Sequence, residues 1–242
     1  MPLDSMTASP SGTEIITPFT MSYNGAGITV SNAIWSEMKN NIPLEDGKPQ
    51  HPISASTLKP IVDQYKQQHK PFNLGMTFPT GTHNYMLRYW LAAGGINPGM
   101  YAPNKNDLSG NIGADVTLSV VPPPEMMAKM VTGTTLGYSV GEPWNQKAVK
   151  KGFGVPVMTS DVLWDNGADK VFGITTSFAE QNPNTTVKVV KALIRASSWL
   201  DENDYAHRKE AAKLIAQSNY VGVDEDVILH SMTGVFEYEK GD

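Results

Sequence analysis

The sequence predicts an α/β fold with a mostly parallel sheet and flanking helices, and three observations lead there. Short apolar runs alternate with stretches of helical period: residues 72–78 precede a helix at 82–93, residues 116–121 precede one at 125–131, and residues 136–140 precede one running through Lys151. Breakers mark each junction, namely Pro79-Thr80-Gly81, Pro122-Pro123-Pro124 and Gly141-Glu142-Pro143. The chain has 242 residues, 40% hydrophobic and 18% charged, which suffices for one large domain or two small ones and excludes collagen, coiled coil and wholesale disorder.

In chain order, the opening Met1–Pro10 is rich in Ser, Thr and Pro and lacks the basic and apolar regions of a signal peptide. It reads as a loop or frayed end, which leaves open a cytoplasmic protein or a chain without its true start. Residues 37–57 carry no apolar period and read as a surface insertion, as do residues 98–114, dense in Gly, Pro and Asn. The helix at 82–93 places Met86, Tyr89, Trp90 and Ala93 on one stripe. Pro143 suits a first helical turn, where its missing N–H is not wanted. Residues 155–158 and 171–175 read as further strands. The last third is helical: residues 184–200, with Val187, Val190, Leu193, Ile194 and Trp199 near helical spacing, then 205–217 and 224–230. No apolar run approaches the ~20 residues of a membrane span.

Charge and composition remove several function classes. With 19 Lys+Arg against 24 Asp+Glu the net charge is −5, which disfavours direct nucleic-acid binding. The absence of cysteine excludes disulfides, thiolate-bound zinc, iron–sulfur clusters and thiol nucleophiles. The five histidines (His51, His69, His83, His207, His230) include no i, i+4 pair, and Asp201, Glu202 and Asp204 read as a solvated run. No nucleophile-elbow, zinc-protease or phosphate-loop motif occurs. No catalytic residue, metal ligand or cofactor site is therefore assigned, and the chain is expected not to be an enzyme.

Ligands of open parallel sheets bind where strands end and helices begin. At the junction Pro79-Thr80-Gly81-Thr82-His83-Asn84, small residues let backbone N–H groups approach a ligand, the helix start adds about half a positive charge, and His83 adds a donor. This suits a small anion with planar oxygens. The same residues also serve as an ordinary helix cap with His83 on the surface, and spacing alone does not choose. Glu142 and Trp144 sit at the third junction, where a Glu also simply complements a helix dipole and a Trp simply packs. Lys170, before a strand, offers a cation or is merely solvated.

Four ordered strings carry a resemblance. They are Met76-Thr77-Phe78-Pro79-Thr80-Gly81-Thr82-His83-Asn84, then residues 87–98 (LRYWLAAGGINP), Val120-Val121-Pro122-Pro123-Pro124-Glu125-Met126, and Val140-Gly141-Glu142-Pro143-Trp144-Asn145. Together with Asn24-Gly25, Ile28–Asn32 and Trp199-Leu200-Asp201 they resemble the nitrate/bicarbonate solute-binding proteins of ABC transporters. Cytoplasmic nitrate sensors that control an RNA-binding antiterminator share these strings. The resemblance implies a bilobal periplasmic-binding-protein-like fold of type II, with a small inorganic anion (nitrate, nitrite or bicarbonate) held in the interlobe cleft. By position, Gly81, Thr82 and His83 would hydrogen-bond the oxyanion, Lys170 would neutralise it, and Glu142 and Trp144 would line or brace the wall. It further implies permease and ATPase subunits as partners, no cofactor, and a place outside the inner membrane, periplasmic or lipid-anchored, or in the cytoplasm for a sensor. Family members are longer at both ends. The expected division is therefore residues 1–30 in an incomplete first lobe and its crossing, 31–170 in the second lobe, and 171–242 in the return crossing and first-lobe helices. Position 26, often an amide side chain in such proteins, is Ala26 here.

Overall fold

The computed structural model describes residues 12–102 and 107–241, so the Ser/Thr/Pro-rich opening lies outside the described residues. The chain forms two compact units. The smaller takes the described residues up to Gly25 together with Asn166–Phe236, and the larger takes Ala26–Asp165 and returns from Glu237 onward. The sequence division at 30 and 170 and the contact division at 25/26 and 165/166 thus differ by about five residues, and the contacts assign the chain after Phe236 to the larger unit.

After β1 (Ile15–Tyr23) the chain enters the larger unit with β2 (Ala26–Ser31) and α1 (Asn32–Met38). A small ribbon of β3 (Leu44–Glu45) and β4 (Lys48–Pro49) leads to α2 (Lys59–Gln67), β5 (Asn73–Met76) and α3 (Thr82–Ala93). A second ribbon, β6 (Met100–Ala102) with β7 (Asp107–Ile112), precedes β8 (Thr117–Val120) and α4 (Pro123–Val131). β9 (Gly137–Gly141), α5 (Trp144–Lys151), β10 (Gly154–Thr159) and α6 (Ser160–Leu163) complete this stretch. The smaller unit resumes with β11 (Ala168–Thr175), α7 (Thr176–Gln181), α8 (Pro183–Tyr205), α9 (Arg208–Ile215) and α10 (Glu225–Thr233).

The central sheet has the order β10-β2-β9-β5-β8. β5 is parallel to β8 and β9, whereas β2 is antiparallel to β9 and β10, so four strands run one way and β2 runs against them. Both faces are covered, which is why β2, β9 and β10 read as nearly unbroken buried runs rather than alternating ones. α1, α2 and α3 bury Trp35, Met38, Ile61, Val62, Leu87, Trp90 and Leu91 with Ile28, Val30 and Leu74 in the main cluster. α4 and α5 bury Met126, Met130 and Ala148 with Tyr138 and Val140 in a second. Pro156 is tolerated in β10 because that strand is an edge, paired only with β2, and the register shifts beside it. Gly137 is required for closeness: a Cβ there would lie 2.6 Å from the Thr29 carbonyl oxygen.

Several expectations change in detail. Residues 37–57 are not a bare surface insertion, because Ile42, Ile53 and Ala55 are buried and the Trp90 indole donates to the Ile53 carbonyl (2.9 Å). The buried stripe of α3 is Met86, Leu87, Trp90 and Leu91, with Tyr89 and Ala93 exposed. Pro143 occupies the cap of α5, one residue before the helix begins. β1 and α1 were hidden in the sequence by Pro18 and by brevity, respectively.

In the smaller unit β1 and β11 pair antiparallel from Ile15↔Thr175 to Tyr23↔Ala168. α8 leaves helical geometry at Glu202–Asp204, close to the predicted end at 200. Asn203, Asp204 and Tyr205 take positive φ, so the next helix starts at Arg208 rather than at Tyr205. The residues after Phe236 are fastened to the larger unit: the Gln146 side chain donates to the Glu237 carbonyl (2.9 Å) and accepts its N–H (3.1 Å), and the Trp35 indole donates to Glu239 (2.9 Å).

Candidate functional site

Register brings the predicted residues of the larger unit to one rim of its sheet. Gly75 pairs with Tyr138 and Met76 with Val120, so the chain leaves β5, β8 and β9 at the same edge, at Thr77, Val121 and Glu142. β2, running the other way, begins there, with Ala26 opposite Gly141. β10 ends there, with Thr159 opposite Gly27, and the Ala26 N–H donates to Ser160 Oγ (3.2 Å). This is the carboxyl edge at which an α/β sheet presents its ligand.

The turn after β5 is built to open a helix. The Gly81 N–H donates to the Phe78 carbonyl (3.1 Å), and Gly81 is extended as the cap of α3, its carbonyl accepting the Asn84 N–H (3.0 Å). Thr82 and His83 are the first two helical residues, so their N–H groups precede the first intrahelical acceptor and carry the positive end of the dipole. His83 Nδ1 lies 3.0 Å from Thr77 Oγ1. When the hydroxyl donates to Nδ1, the neutral ring carries its proton on Nε2, an atom that is itself buried.

Asn84, fully buried, holds this turn from behind. Its Nδ2 donates to the Pro79 carbonyl (2.6 Å) and to Tyr101 Oη (2.6 Å), and its Oδ1 accepts from Arg88 Nε (2.9 Å). The sequence pattern alone does not single out Thr77, Asn84, Arg88, Tyr101 or Ser160. The legible signal was the polar pair Asn84 and Arg88, four residues apart on the face that also carries Leu87 and Leu91.

At the neighbouring strand end, Glu142 Oε2 accepts the Gln146 N–H (3.1 Å), while Oε1 is buried with no hydrogen-bond partner among the described residues. Burial pushes this carboxyl up to about 7, and the bonds from the Gln146 N–H and the Asn145 side chain pull the other way. Trp144 packs against the second apolar cluster beneath a cation–π contact from Lys147 (5.0 Å). The structure thus gathers Gly81, Thr82, His83, Glu142 and Trp144 around one sheet edge. Lys170 stands on β11 of the smaller unit, its Nζ 2.8 Å from Asp169 Oδ2.

A cavity of about 450 Å³ lined by Lys66, His69, Lys70 and Asp115 lies at the opposite, amino-terminal end of β5 and β8, where Lys66 is engaged by Asp115 at 2.6 Å. Among the described residues no group of three or more His, Asp or Glu is placed to hold a metal ion, and no helix is long and apolar enough to cross a membrane.

A mixed sheet covered on both faces, with helices opening at its carboxyl edge and a second unit joined by crossings of the chain, is the α/β fold of periplasmic binding proteins. The chain belongs to the NMT1-like family, whose model matches residues 2–216. It is 33% identical over 189 residues to the nitrate/nitrite binding protein NrtA of Nostoc sp. (strain PCC 7120), covering 78% of this chain and 39% of that protein. It is 32% identical over 214 residues to the bicarbonate transport ATP-binding protein CmpC of Synechocystis sp. (strain PCC 6803), covering 88% of this chain and 27% of that one. The crystal structure of the periplasmic nitrate-binding protein NrtA from Synechocystis PCC 6803 superposes with a TM-score of 0.78 at 25% identity, covering 98% of this chain and 54% of that chain. The chain therefore spans about half the length, or less, of the relatives it matches.

Proposed function

We propose that this chain carries the anion-binding rim of an ABC-transporter solute-binding protein for nitrate or a similar planar oxyanion such as nitrite or bicarbonate. The observation that carries the reading is the opening of α3, where the Gly81 cap, the leading N–H groups of Thr82 and His83 and an imidazole fixed by Thr77 meet at the carboxyl rim of the sheet. Backbone dipoles and a neutral imidazole suit a weakly basic monovalent anion, because they supply directed donors without a fixed charge at that point. Glu142 tunes the rim: protonated, it is a further donor, and ionised, it repels an anion. Similarity to nitrate- and bicarbonate-binding proteins and to transporter ATPase components supports this assignment, permease and ATPase subunits as partners, and a periplasmic, membrane-peripheral location. Binding and release, with no bond-making step, is all the rim is asked to do.

Calorimetric titration of the full-length protein with nitrate, nitrite and bicarbonate tests the reading, and silence toward all three by a folded protein rejects it. His83→Ala should weaken binding at least tenfold, roughly the ~1.4 kcal/mol of one charge-assisted hydrogen bond. Unchanged affinity removes His83 from the site.

A further inference from the structure

Arg88 is buried on α3, yet among the described residues no carboxylate faces it. Among the described residues its partners are dipoles and one aromatic ring. Nη1 donates to the carbonyls of Pro98 (2.8 Å), Gly99 (3.1 Å) and Gly110 (2.9 Å), Nε donates to Asn84, and the guanidinium lies 4.6 Å from the centre of the Tyr101 ring. Gly110 is shaped around it, since a Cβ there would come within 2.6 Å of Nη2 and of the Tyr101 ring. For stability alone this is a poor use of a buried position, because an apolar side chain beside Leu87 and Leu91 would avoid desolvating a guanidinium.

What the arrangement achieves is directional. Arg88 fixes the Asn84 amide by holding its oxygen, which turns the amide nitrogen onto the Pro79 carbonyl, and Tyr101 Oη donates to the same carbonyl (3.3 Å). In a trans peptide the C=O and N–H point opposite ways, so a Pro79 carbonyl held inward aims the Thr80 N–H away from the network. That fixes the plane from which the Thr80-Gly81 turn, and hence the start of α3, is launched.

We infer that Arg88 and Asn84 are positioning residues that tie the β6–β7 ribbon to the Pro79–His83 turn and so set the shape of the anion rim. The inference rests on the reading of that rim as an anion site. It gives Pro98, Gly99 and Gly110, in the stretch dense in Gly, Pro and Asn, a role that composition does not suggest: their carbonyls are the counter-dipoles of a buried cation that acts at a distance on the ligand.

Asn84→Asp is the discriminating variant. It keeps an oxygen for Arg88 but replaces the amide donor with a second oxygen facing the Pro79 carbonyl. In the full-length protein we expect cooperative unfolding to persist, nitrate affinity to fall at least tenfold, and the nitrate-to-bicarbonate affinity ratio to change by threefold or more. An added negative charge acting alone would weaken both monovalent anions alike, so loss of affinity with an unchanged ratio overturns the proposal, as does unchanged affinity. If Asn84→Asp does not fold, Tyr101→Phe, which removes one hydroxyl from the network, carries the same test through the same ratio. A wild-type protein that binds none of the anions rejects the rim itself, an outcome distinct from wild-type binding that these variants fail to alter.

Discussion

The two units spend their apolar residues differently. The larger encloses Ile28, Trp90, Tyr138, Leu74 and many others almost completely, on both faces of a five-stranded sheet. In the smaller, the buried apolar residues among those described are Ala211, Ala212, Val223, Val227 and Ile228, all in or beside α9 and α10. α8 buries none, and its Val187, Val189 and Ile194 face outward. β1 and β11 make a two-stranded sheet, a form that is marginal by itself. Helical periodicity correctly identified a helix with an apolar stripe at 184–200, but it cannot tell whether the described chain supplies the surface that stripe needs. A hydrophobic pattern states a demand for burial, and only packing answers it.

The sharpest way to break this contrast is a pair of truncations. Leu74→Ala, in the centre of β5, should cost about 3–5 kcal/mol by urea denaturation, the usual loss for a large buried side chain that leaves a cavity. Ile194→Ala, on the exposed flank of α8, should change stability by about 0.5 kcal/mol or less. Comparable losses at the two sites would mean that α8 is covered in solution and that the contrast between the units is smaller than described.

Close packing in the larger unit also burdens its candidate site, and pH exposes that burden. Burial raises the Glu142 carboxyl from its ordinary 4.5 to about 7. Between those values the unfolded chain gives up the proton before the folded one, so the folded state binds more protons and stability falls as pH rises. The loss reaches about 3 kcal/mol and is complete above pH 7, whereas in acid both states are protonated and the burden vanishes. Glu142→Gln keeps an acceptor for the Gln146 N–H and remains neutral, so its urea midpoint should stay flat where the wild type declines from pH 5 to pH 8. Parallel profiles for the two proteins would show that the carboxyl is well solvated.

Much of this architecture was readable in the chain because it depends on local chemistry. The helix at 82–93 was found to the residue, since Gly81 caps it and Ala-Gly-Gly ends it. Strands β5, β8, β9, β10 and β11 were located from apolar runs between breakers. That Gly81, Thr82, His83 and Glu142 sit at strand-to-helix junctions is legible because such a junction advertises itself in Pro, Gly and Thr. What escaped depends on residues distant in sequence. Nothing in the string Asn84-Tyr85-Met86-Leu87-Arg88 announces that carbonyls 10 to 22 positions later close around the guanidinium. Nor does Glu142 by itself reveal a raised carboxyl, which follows from the packing of its neighbours. The direction of β2 and the return of Glu237 to the larger unit are likewise decided by pairing partners more than 90 residues away in sequence.

That return supplies the smallest of these tests. The segment after Phe236 follows the smaller unit in sequence but is held by the larger one, through a two-way amide clasp from Gln146, the Trp35–Glu239 bond and a Tyr238 ring stacked 3.5 Å from His51. Gln146→Ala leaves the backbone N–H that serves Glu142 intact and removes only the clasp, so it should cost about 1–2 kcal/mol, the worth of neutral bonds whose backbone partners are left wanting. Amide exchange should quicken locally at Glu237–Glu239, and emission from a variant retaining only Trp35 among its tryptophans should shift red as the indole loses its carboxylate and its cover. If exchange quickens instead across β1 and β11, the segment steadies the smaller unit rather than the larger, and its allegiance must be reversed.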